Sequence, residues 1–315
     1  MKATSLITLY FICGFFPGLS QENGGKRTTH EVALAIDNDI FFGHDRYYTA
    51  GHLLNYRRLL KPRRDADELS RASKTILGFQ LGNKIFTPKR TQFVNPINMD
   101  RPYAGFDFIG ASILHSKHMG SLSHVGIELG LVGEVTGVGK MQQWWHKKTG
   151  FSEPSGWDSQ IANEFVVNTR YQFQKNFSII KSVDIVSTSG FYLGTGSNKI
   201  SQNLTLRFLD FNSIDQSTFS NTRLSHNYGT VKKEFFLFLG GGVDYVMSNI
   251  FLEGSLFNDR SPFTVHAAPW VARSNAGLMF AKDKASCSVS VNTTSKEMQQ
   301  GSWHKYVSLS FSTLF

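Results

Sequence analysis

The sequence predicts an all-β fold, a transmembrane antiparallel up-and-down β-barrel of twelve strands, on three observations. Apolar and polar residues alternate with a period of two from the start of the mature chain to its last residue, which is typical of strands with one apolar face. The N-terminal segment has the pattern of an export signal. The last alternating strand ends on the C-terminal Phe315, as strands of outer-membrane barrels do.

Residues 1–20, MKATSLITLYFICGFFPGLS, contain a lysine, then an apolar run, then small residues near the end. This order is typical of a secretory signal peptide. We therefore expect residues 21–315 to form a single barrel domain in the bacterial outer membrane. No later segment reaches the ~18 apolar residues that a membrane helix needs, so we expect strands to cross the membrane.

The alternation is clearest in two segments. Between Val125 and Leu131 the odd positions are apolar, and between Ile161 and Gln174 one face is apolar while the other is charged and polar. A soluble sandwich would show a similar pattern, but the strand ending at Phe315 favours a membrane barrel. We expect strands at 30–37, 48–60, 74–84, 104–115, 122–133, 160–175, 182–193, 200–211, 232–253, 264–281, 284–293 and 303–315, an even number as in single-chain bacterial barrels.

The net charge is +9, which favours anionic partners such as phosphates, nucleic acid or acidic lipids, although a solvated basic surface explains the charge equally well. The basic residues are not interleaved with aromatic residues, and no nucleic-acid-binding motif is visible. We therefore expect no nucleic-acid partner.

Polar residues concentrate in the connections after the first, third and fifth strands, at 38–48, 85–103 and 133–159. If both termini are periplasmic, odd-numbered strands run outward, and these three connections lie together at the cell-surface end. The stretch 37–51, DNDIFFGHDRYYTAG, has more acids and hydrogen-bonding groups than a hairpin connection requires. We interpret it as half of an active site.

Several short motifs follow one another in a characteristic order: DND, DRYYTAG, an aromatic residue followed by TP, DRPYAG, QxxxH and GWDSQ. Over residues 37–164 this order resembles the LpxR family of outer-membrane lipid A deacylases. The resemblance implies a twelve-stranded barrel, dependence on Ca²⁺, and hydrolysis of the 3'-O-linked acyl chains of lipid A, the anchor of lipopolysaccharide, in the outer leaflet. We further expect the protein to be a monomer.

The resemblance carries the family's site onto Asn38, Asp39, Thr49, Gln142 and His146. The glutamate that the family has shortly after the histidine has no counterpart in register, because the segment after His146 is one residue shorter here. Glu153 is the nearest acid, and with Asp39 it is the expected metal ligand.

These residues suit ester hydrolysis by an activated water. His146 is the candidate general base near neutral pH. Asp39 and loop carbonyls offer the hard oxygen ligands that calcium prefers, and the ion would polarise the ester carbonyl. Asn38 is a candidate for stabilising the oxyanion, and Thr49 and Gln142 for orienting the histidine or the water.

Other interpretations remain open at this point. Acids and amides at a strand end also form turns, and a histidine beside Trp144 and Trp145 also fits an aromatic girdle. The DRPYAG and GWD segments fit loop architecture, with Asp100 and Arg101 as an ion pair. The alternatives are therefore a non-catalytic barrel, such as a small porin or an adhesin, and a phospholipase with a serine nucleophile.

Overall fold

The computed structural model describes residues 27–61, 73–117, 120–227 and 233–315, so the expected signal peptide lies outside the described residues. Each strand pairs antiparallel with its neighbours in sequence, and the first strand pairs with the last to close the barrel. The strands are β1 (His30–Asn38), β2 (Tyr47–Leu59), β3 (Lys74–Thr87), β4 (Ala104–Lys117), β5 (Ser121–Val132), β6 (Glu164–Ile180), β7 (Val183–Gly194), β8 (Ser197–Asp210), β9 (Glu234–Asn249), β10 (Trp270–Lys282), β11 (Ala285–Thr294) and β12 (His304–Leu314).

The predicted fold class and strand number are confirmed, while several strand boundaries and one loop were predicted wrongly. The strand expected at 160–175 lies at Glu164–Ile180. The expected long strand at 232–253 ends at Asn249, and a helical turn, α2 (Ile250–Glu253), follows it. The expected start of the next strand at 264 is also early, because β10 begins at Trp270. The β5–β6 connection contains a helix, α1 (Val138–Thr149). Neither helix, nor any other in the described part of the chain, has the length and apolar character of a membrane span.

Successive side chains alternate between the outside of the barrel and the lumen, as the pleat of a strand requires. On β4, Ile109 and Ile113 point outward and are exposed, whereas Phe106 and Phe108 point inward and are buried. Apolar residues on the outer face meet lipid, which is the arrangement of transmembrane barrels. The termini share one end of the barrel. We call the opposite end, which carries the β1–β2, β3–β4 and β5–β6 connections, the outer rim.

Aromatic side chains fill the lumen at the outer rim. Phe251 of α2 stacks on Phe86 with a centroid distance of 4.6 Å, and Phe106 stacks on Phe108 at 4.9 Å. Arg101 donates to the carbonyl of Phe251 at 3.2 Å and helps to hold α2 in place. The lumen therefore has a packed core at this end.

The segment 211–227, between β8 and β9, crosses the other end of the barrel. Lys74 of β3 donates to the carbonyls of Asp215 and Thr222, and Arg223 donates to the carbonyl of Asp283 across the barrel. Arg207 on β8 and Glu234 at the start of β9 form hydrogen bonds with the same segment. Their partners in it are Asn212, Ser217 and Thr218. The segment closes the periplasmic opening, which counts against an open channel.

Ion pairs inside the barrel join neighbouring strands. Arg170 lies 3.4 Å from Glu128, as expected for lumen-facing residues of opposite charge. The expected pair of Asp100 with Arg101 gives way to a different pairing. Arg101 contacts Glu297 at 3.3 Å, while Asp100 accepts a hydrogen bond from the Tyr47 hydroxyl at 2.7 Å.

The buried pair of Arg207 and Asp184 gives a prediction for stability. Nε of Arg207 lies 2.9 Å from Oδ1 of Asp184, and both side chains are almost fully buried. Asp184→Leu leaves a buried guanidinium without its carboxylate and should lower the free energy of unfolding by ~3 to 5 kcal/mol. Urea unfolding in detergent, followed by tryptophan fluorescence, measures the loss.

The double variant Asp184→Leu with Arg207→Met removes both charges and should lose less stability than the single variant. If the single variant unfolds at the wild-type urea concentration, the pair does not hold this end of the barrel.

Candidate active site on the outer rim

The first half of the site lies where β1 ends. Asp39 follows the strand and begins a short 3-10 turn, Ile40–Phe42, which Gly43 closes with a φ of 68° that favours glycine. Oδ1 of Asn38 accepts from the backbone N–H of Ile40 at 2.7 Å and stabilises the same turn. This turn directs the Asp39 carboxylate toward Arg46 and Thr49 at the start of β2, where it is buried.

Two irregularities at the start of β2 bring Thr49 to the Asp39 carboxylate. Tyr47 has a φ of 60°, which is strained for a residue with a side chain, and burial with hydrogen bonds to Asp100 and Ser302 holds it in place. A register shift between Tyr48 and Ala50 leaves Thr49 as an extra residue on β2. The bulge turns the Thr49 hydroxyl toward Asp39, at 2.9 Å from its Oδ1.

The second half of the site lies on α1. Left-handed glycines flank this helix, with φ of 67° at Gly137 and 76° at Gly150, and the N–H of Gly150 caps the carbonyl of His146. Gln142 and His146 are four residues apart and therefore lie on the same helix face. Both are buried, whereas Trp144 and Trp145 on other faces are exposed.

Helix α1 packs on the outside of the barrel wall. Ala50, Ile85 and Gly105 face outward at the ends of β2, β3 and β4. Ala50 and Ile85 form a buried cluster with Val138 and Trp157. A side chain at Gly105 would place its Cβ 2.7 Å from Cβ of Val138, so the glycine permits the close approach. The site therefore lies on the lipid side of the wall and not in the lumen.

Asp45 joins the two halves. Its Oδ1 lies 2.5 Å from Oγ1 of Thr49 and accepts from Nε2 of Gln142 at 3.0 Å, and its Oδ2 lies 3.1 Å from Nε2 of His146. Gln142 is held in turn by Trp157, whose indole N–H donates to Oε1 at 3.0 Å. One carboxylate thus connects the β1–β2 connection with α1.

The Thr49 hydroxyl has a single proton but lies within hydrogen-bonding distance of two carboxylates, those of Asp39 and Asp45. A second proton or a cation is needed between these oxygens. Burial raises the pKa of Asp39 to about 8, with a further rise from Asp45, although hydrogen bonds from the Arg46 N–H and from Thr49 act in the opposite direction. The raised pKa favours a proton on Asp39 when no cation is bound.

His146 is fixed at both ring nitrogens. Nδ1 lies 2.6 Å from the carbonyl of Ser152, and Nε2 faces Asp45. Burial acts to lower the pKa of His146, but the hydrogen bonds to Asp45 and Ser152 and the charge of Asp45 outweigh it and raise the pKa above its ordinary value. The imidazolium form is therefore stabilised at this position.

The structure brings together most of the predicted site residues. Asp39, Thr49, Gln142 and His146 all lie within the network around Asp45, and Asn38 borders it. Glu153 is exposed, and only its backbone carbonyl forms a hydrogen bond, from Ser155. Its assignment as a metal ligand stays a prediction.

Two residues of the network were missed from the sequence. Asp45 opens the DRYYTAG motif, but its position in a connection gave no local signal that distinguishes it from a turn residue. Trp157 of the GWDSQ motif was interpreted as loop architecture, yet it orients Gln142.

The chemistry of the donor atoms suits a hard cation. Asp39, Asp45 and Thr49 present oxygens that compete for one proton, and calcium binds such oxygens together with backbone carbonyls. Within the described ranges, no three His, Cys, Asp or Glu side chains form a cluster that could hold a metal by themselves. A calcium ion at this place therefore needs carbonyl, hydroxyl or water oxygens besides the two carboxylates.

The fold and the site define an outer-membrane β-barrel protein with a buried polar network on the lipid side of its outer rim. The chain belongs to the family described as outer membrane protein LpxR, whose family model matches residues 6–315. Among curated proteins no sequence matches the chain significantly.

A solved structure shows the same fold. LpxR from Salmonella typhimurium is similar with a TM-score of 0.73 at 20% sequence identity, over 90% of this chain and 100% of that chain. The β domain of the Bordetella autotransporter BrkA has a TM-score of 0.47 at 8% identity, over 93% of this chain and 100% of that chain.

The contact between Asp45 and His146 gives a prediction for the histidine. Asp45→Asn removes the charge that raises the pKa of His146, so its imidazole should titrate at a lower pH than in the wild type. Because the folded-state pKa is raised, the pair stabilises the protein below that pKa and loses this contribution as the pH rises through it. NMR of ¹³C-labelled histidine in calcium-free detergent measures the midpoint.

Asp283→Asn, in the β10–β11 turn at the opposite end of the barrel, is the control and should leave the midpoint of His146 at its wild-type value. An unchanged midpoint for His146 in Asp45→Asn would contradict the pairing.

Proposed function

We propose that this outer-membrane protein is a calcium-dependent hydrolase that removes 3'-O-linked acyl chains from lipid A in the outer leaflet. One observation carries the proposal: the Asp45 and His146 pair is held at 3.1 Å on the lipid side of the barrel wall. A site in that position meets lipids that diffuse in the leaflet. Membership of the LpxR family supports lipid A as the lipid.

The exposed face of α1 is suited to a lipid leaflet. Trp144 and Trp145 are about half exposed, and Lys140, Lys147 and Lys148 lie on the same helix, which has no acidic residue. Tryptophan prefers the boundary between headgroups and acyl chains, and lysine is attracted to phosphates. The helix that carries Gln142 and His146 thus presents its other faces to an anionic lipid.

In the proposed reaction His146 takes a proton from water. Nδ1 keeps its proton on the carbonyl of Ser152. Once a water enters between Nε2 and Asp45, Nε2 accepts the water proton while the water oxygen attacks the ester carbonyl carbon. Asp45 stabilises the imidazolium that forms. When the tetrahedral intermediate collapses, the imidazolium returns the proton to the leaving sugar oxygen, and a free fatty acid and a sugar hydroxyl result.

Asn38 is the candidate donor to the oxyanion. Its Oδ1 is committed to the Ile40 N–H, and its Nδ2 has no acceptor in the part of the chain that the structure describes. Asp39, Asp45 and neighbouring carbonyls are the proposed calcium ligands. When bound there, calcium supplies a positive charge that polarises the ester carbonyl.

Removing the base should abolish the reaction. His146→Ala should lower the rate of lipid A deacylation by ~10²- to 10⁴-fold, because general base catalysis contributes that much. Mass spectrometry of lipid A from cells expressing wild type or variant measures the loss of the 3'-linked chains.

His226→Ala, which changes a histidine at the opposite end, should retain wild-type deacylation. Wild-type lipid A profiles in cells expressing His146→Ala would refute the assigned base.

Removing the metal ligand should have a separate effect. Asp39→Asn keeps the size of the side chain but removes its charge, so calcium affinity should fall by about tenfold or more. Isothermal titration of the detergent-solubilised protein with Ca²⁺ measures binding, and EDTA should stop deacylation by the wild type. Asp259→Asn, in the loop after α2, is the control and should bind calcium as the wild type does. Full deacylation in EDTA would show that calcium is not required.

A further inference from the structure

A row of polar side chains lies on the lipid-facing wall below the site. His52, Asn83 and Asp107 are register partners on β2, β3 and β4. All three face outward, because side chains two residues apart on a strand share a face. In one direction along its strand, each lies two residues from an outward-facing residue at the contact with α1. In the other direction, each lies two residues from an exposed leucine or isoleucine. We call these three residues the polar row.

Polar and charged groups on a lipid-facing wall are costly and are therefore a sign of function. Nδ2 of Asn83 donates to Oδ1 of Asp107 at 2.5 Å. Oδ1 of Asn83 is buried without any hydrogen-bond partner in the described part of the chain, and His52 is exposed. The row therefore presents the exposed His52 imidazole and the partly buried Asp107 carboxylate to whatever lies against it, and the Asn83 amide oxygen, just beneath this surface, is an acceptor without a partner in the described ranges.

A second polar cluster on the opposite side of the barrel is different. There Gln202 faces outward, its Oε1 accepts from Ser189 at 2.6 Å, and its Nε2 donates to Ser187 at 2.9 Å. Both ends of this amide are paired within the wall. In the described part of the chain, Gln202 therefore has no unpaired amide atom for a ligand. A polar group on the lipid-facing wall can be satisfied within the wall, so the unpaired Oδ1 of Asn83 needs a separate explanation.

The row lies about 7 Å further along the strands than the residues that contact α1, at ~3.3 Å per residue. Below it, Leu54, Leu81 and Ile109 form an apolar layer. The next layer has the small Ala111 between larger side chains and forms a depression of about 470 Å³. A lipid whose ester lies at His146 would lay its chains along this wall, and its first groups beyond the ester would meet the polar row.

We propose that His52, Asn83 and Asp107 form a subsite that binds hydroxyl and amide groups on the acyl portion of the substrate lipid. This inference rests on the proposed function and deepens it. Lipid A carries hydroxyl and amide groups near its ester linkages, whereas the chains of a glycerophospholipid have no hydrogen-bonding group beyond the ester. The subsite therefore distinguishes lipid A from phospholipids that share the same leaflet.

The double variant Asn83→Leu with Asp107→Leu tests the subsite. It removes both partners of their hydrogen bond at once, and leucine on a lipid-facing wall favours insertion, so the barrel should fold. In a His146→Ala background, native mass spectrometry counts bound hexa-acylated lipid A or phosphatidylglycerol. We expect lipid A binding to fall about tenfold, which is the loss of one to two hydrogen bonds, and phosphatidylglycerol binding to stay unchanged. Gln202→Leu is the matched control and should bind both lipids as the parent does.

Kinetics in mixed micelles give a second readout with active protein. The double variant should raise KM for lipid A about tenfold with little change in kcat, because the row contacts the substrate away from the reacting ester. Equal lipid A binding and equal KM in the double variant and the Gln202→Leu control would overturn the subsite. If wild-type protein does not deacylate lipid A, the proposed function fails, and the binding experiment still decides whether the row recognises hydroxyl and amide groups.

Discussion

The hydrogen bonds of the Asp45 carboxylate are the contact on which the site depends. Asp45 and Gln142 are 97 residues apart in sequence, and their side chains meet at 3.0 Å. The apolar contacts of α1 place the helix against the wall, but they do not fix the direction of its polar face. Because a half-buried carboxylate needs donors, Asp45 selects the arrangement in which Thr49, Gln142 and His146 converge.

The membrane imposes the second constraint. A barrel wall presents apolar side chains to lipid, so polar chemistry on that side must be covered or must bind something. The polar groups of the site are covered, because α1 packs against the ends of β2, β3 and β4, where Asp39 and Thr49 are buried. The polar row lies two residues further along the strands, where His52 is exposed and Asn83 and Asp107 are partly buried. The proposed site and the proposed subsite together make one continuous surface for a lipid.

Much of the fold could be predicted from the sequence because strand alternation is a local signal. It is strong along β5 and in the strand that ends at Phe315. The residues of the network that lie in recognisable motifs, such as Thr49 and His146, could also be predicted. Asp45 could not, since an acid in a connection is usually a turn residue and its role depends on a partner far along the chain. Helix α1 was missed because it carries large apolar side chains on more than one face. One face packs against the barrel, and the others expose Trp144 and Trp145, so the helical period of the buried face is not visible in the sequence. The bulge at Thr49 leaves no trace in the alternation, and nothing local predicts that β9 ends before the turn at Ile250–Glu253.

The segment 211–227 and the aromatic side chains around Phe251 fill the barrel at its two ends. The outer membrane protects a bacterium by excluding small toxic solutes, and every open pore weakens that protection. A barrel that is plugged at both ends and works from its outer wall adds surface to the membrane without adding a leak. A cell can therefore carry many copies of this protein with no loss of its permeability barrier.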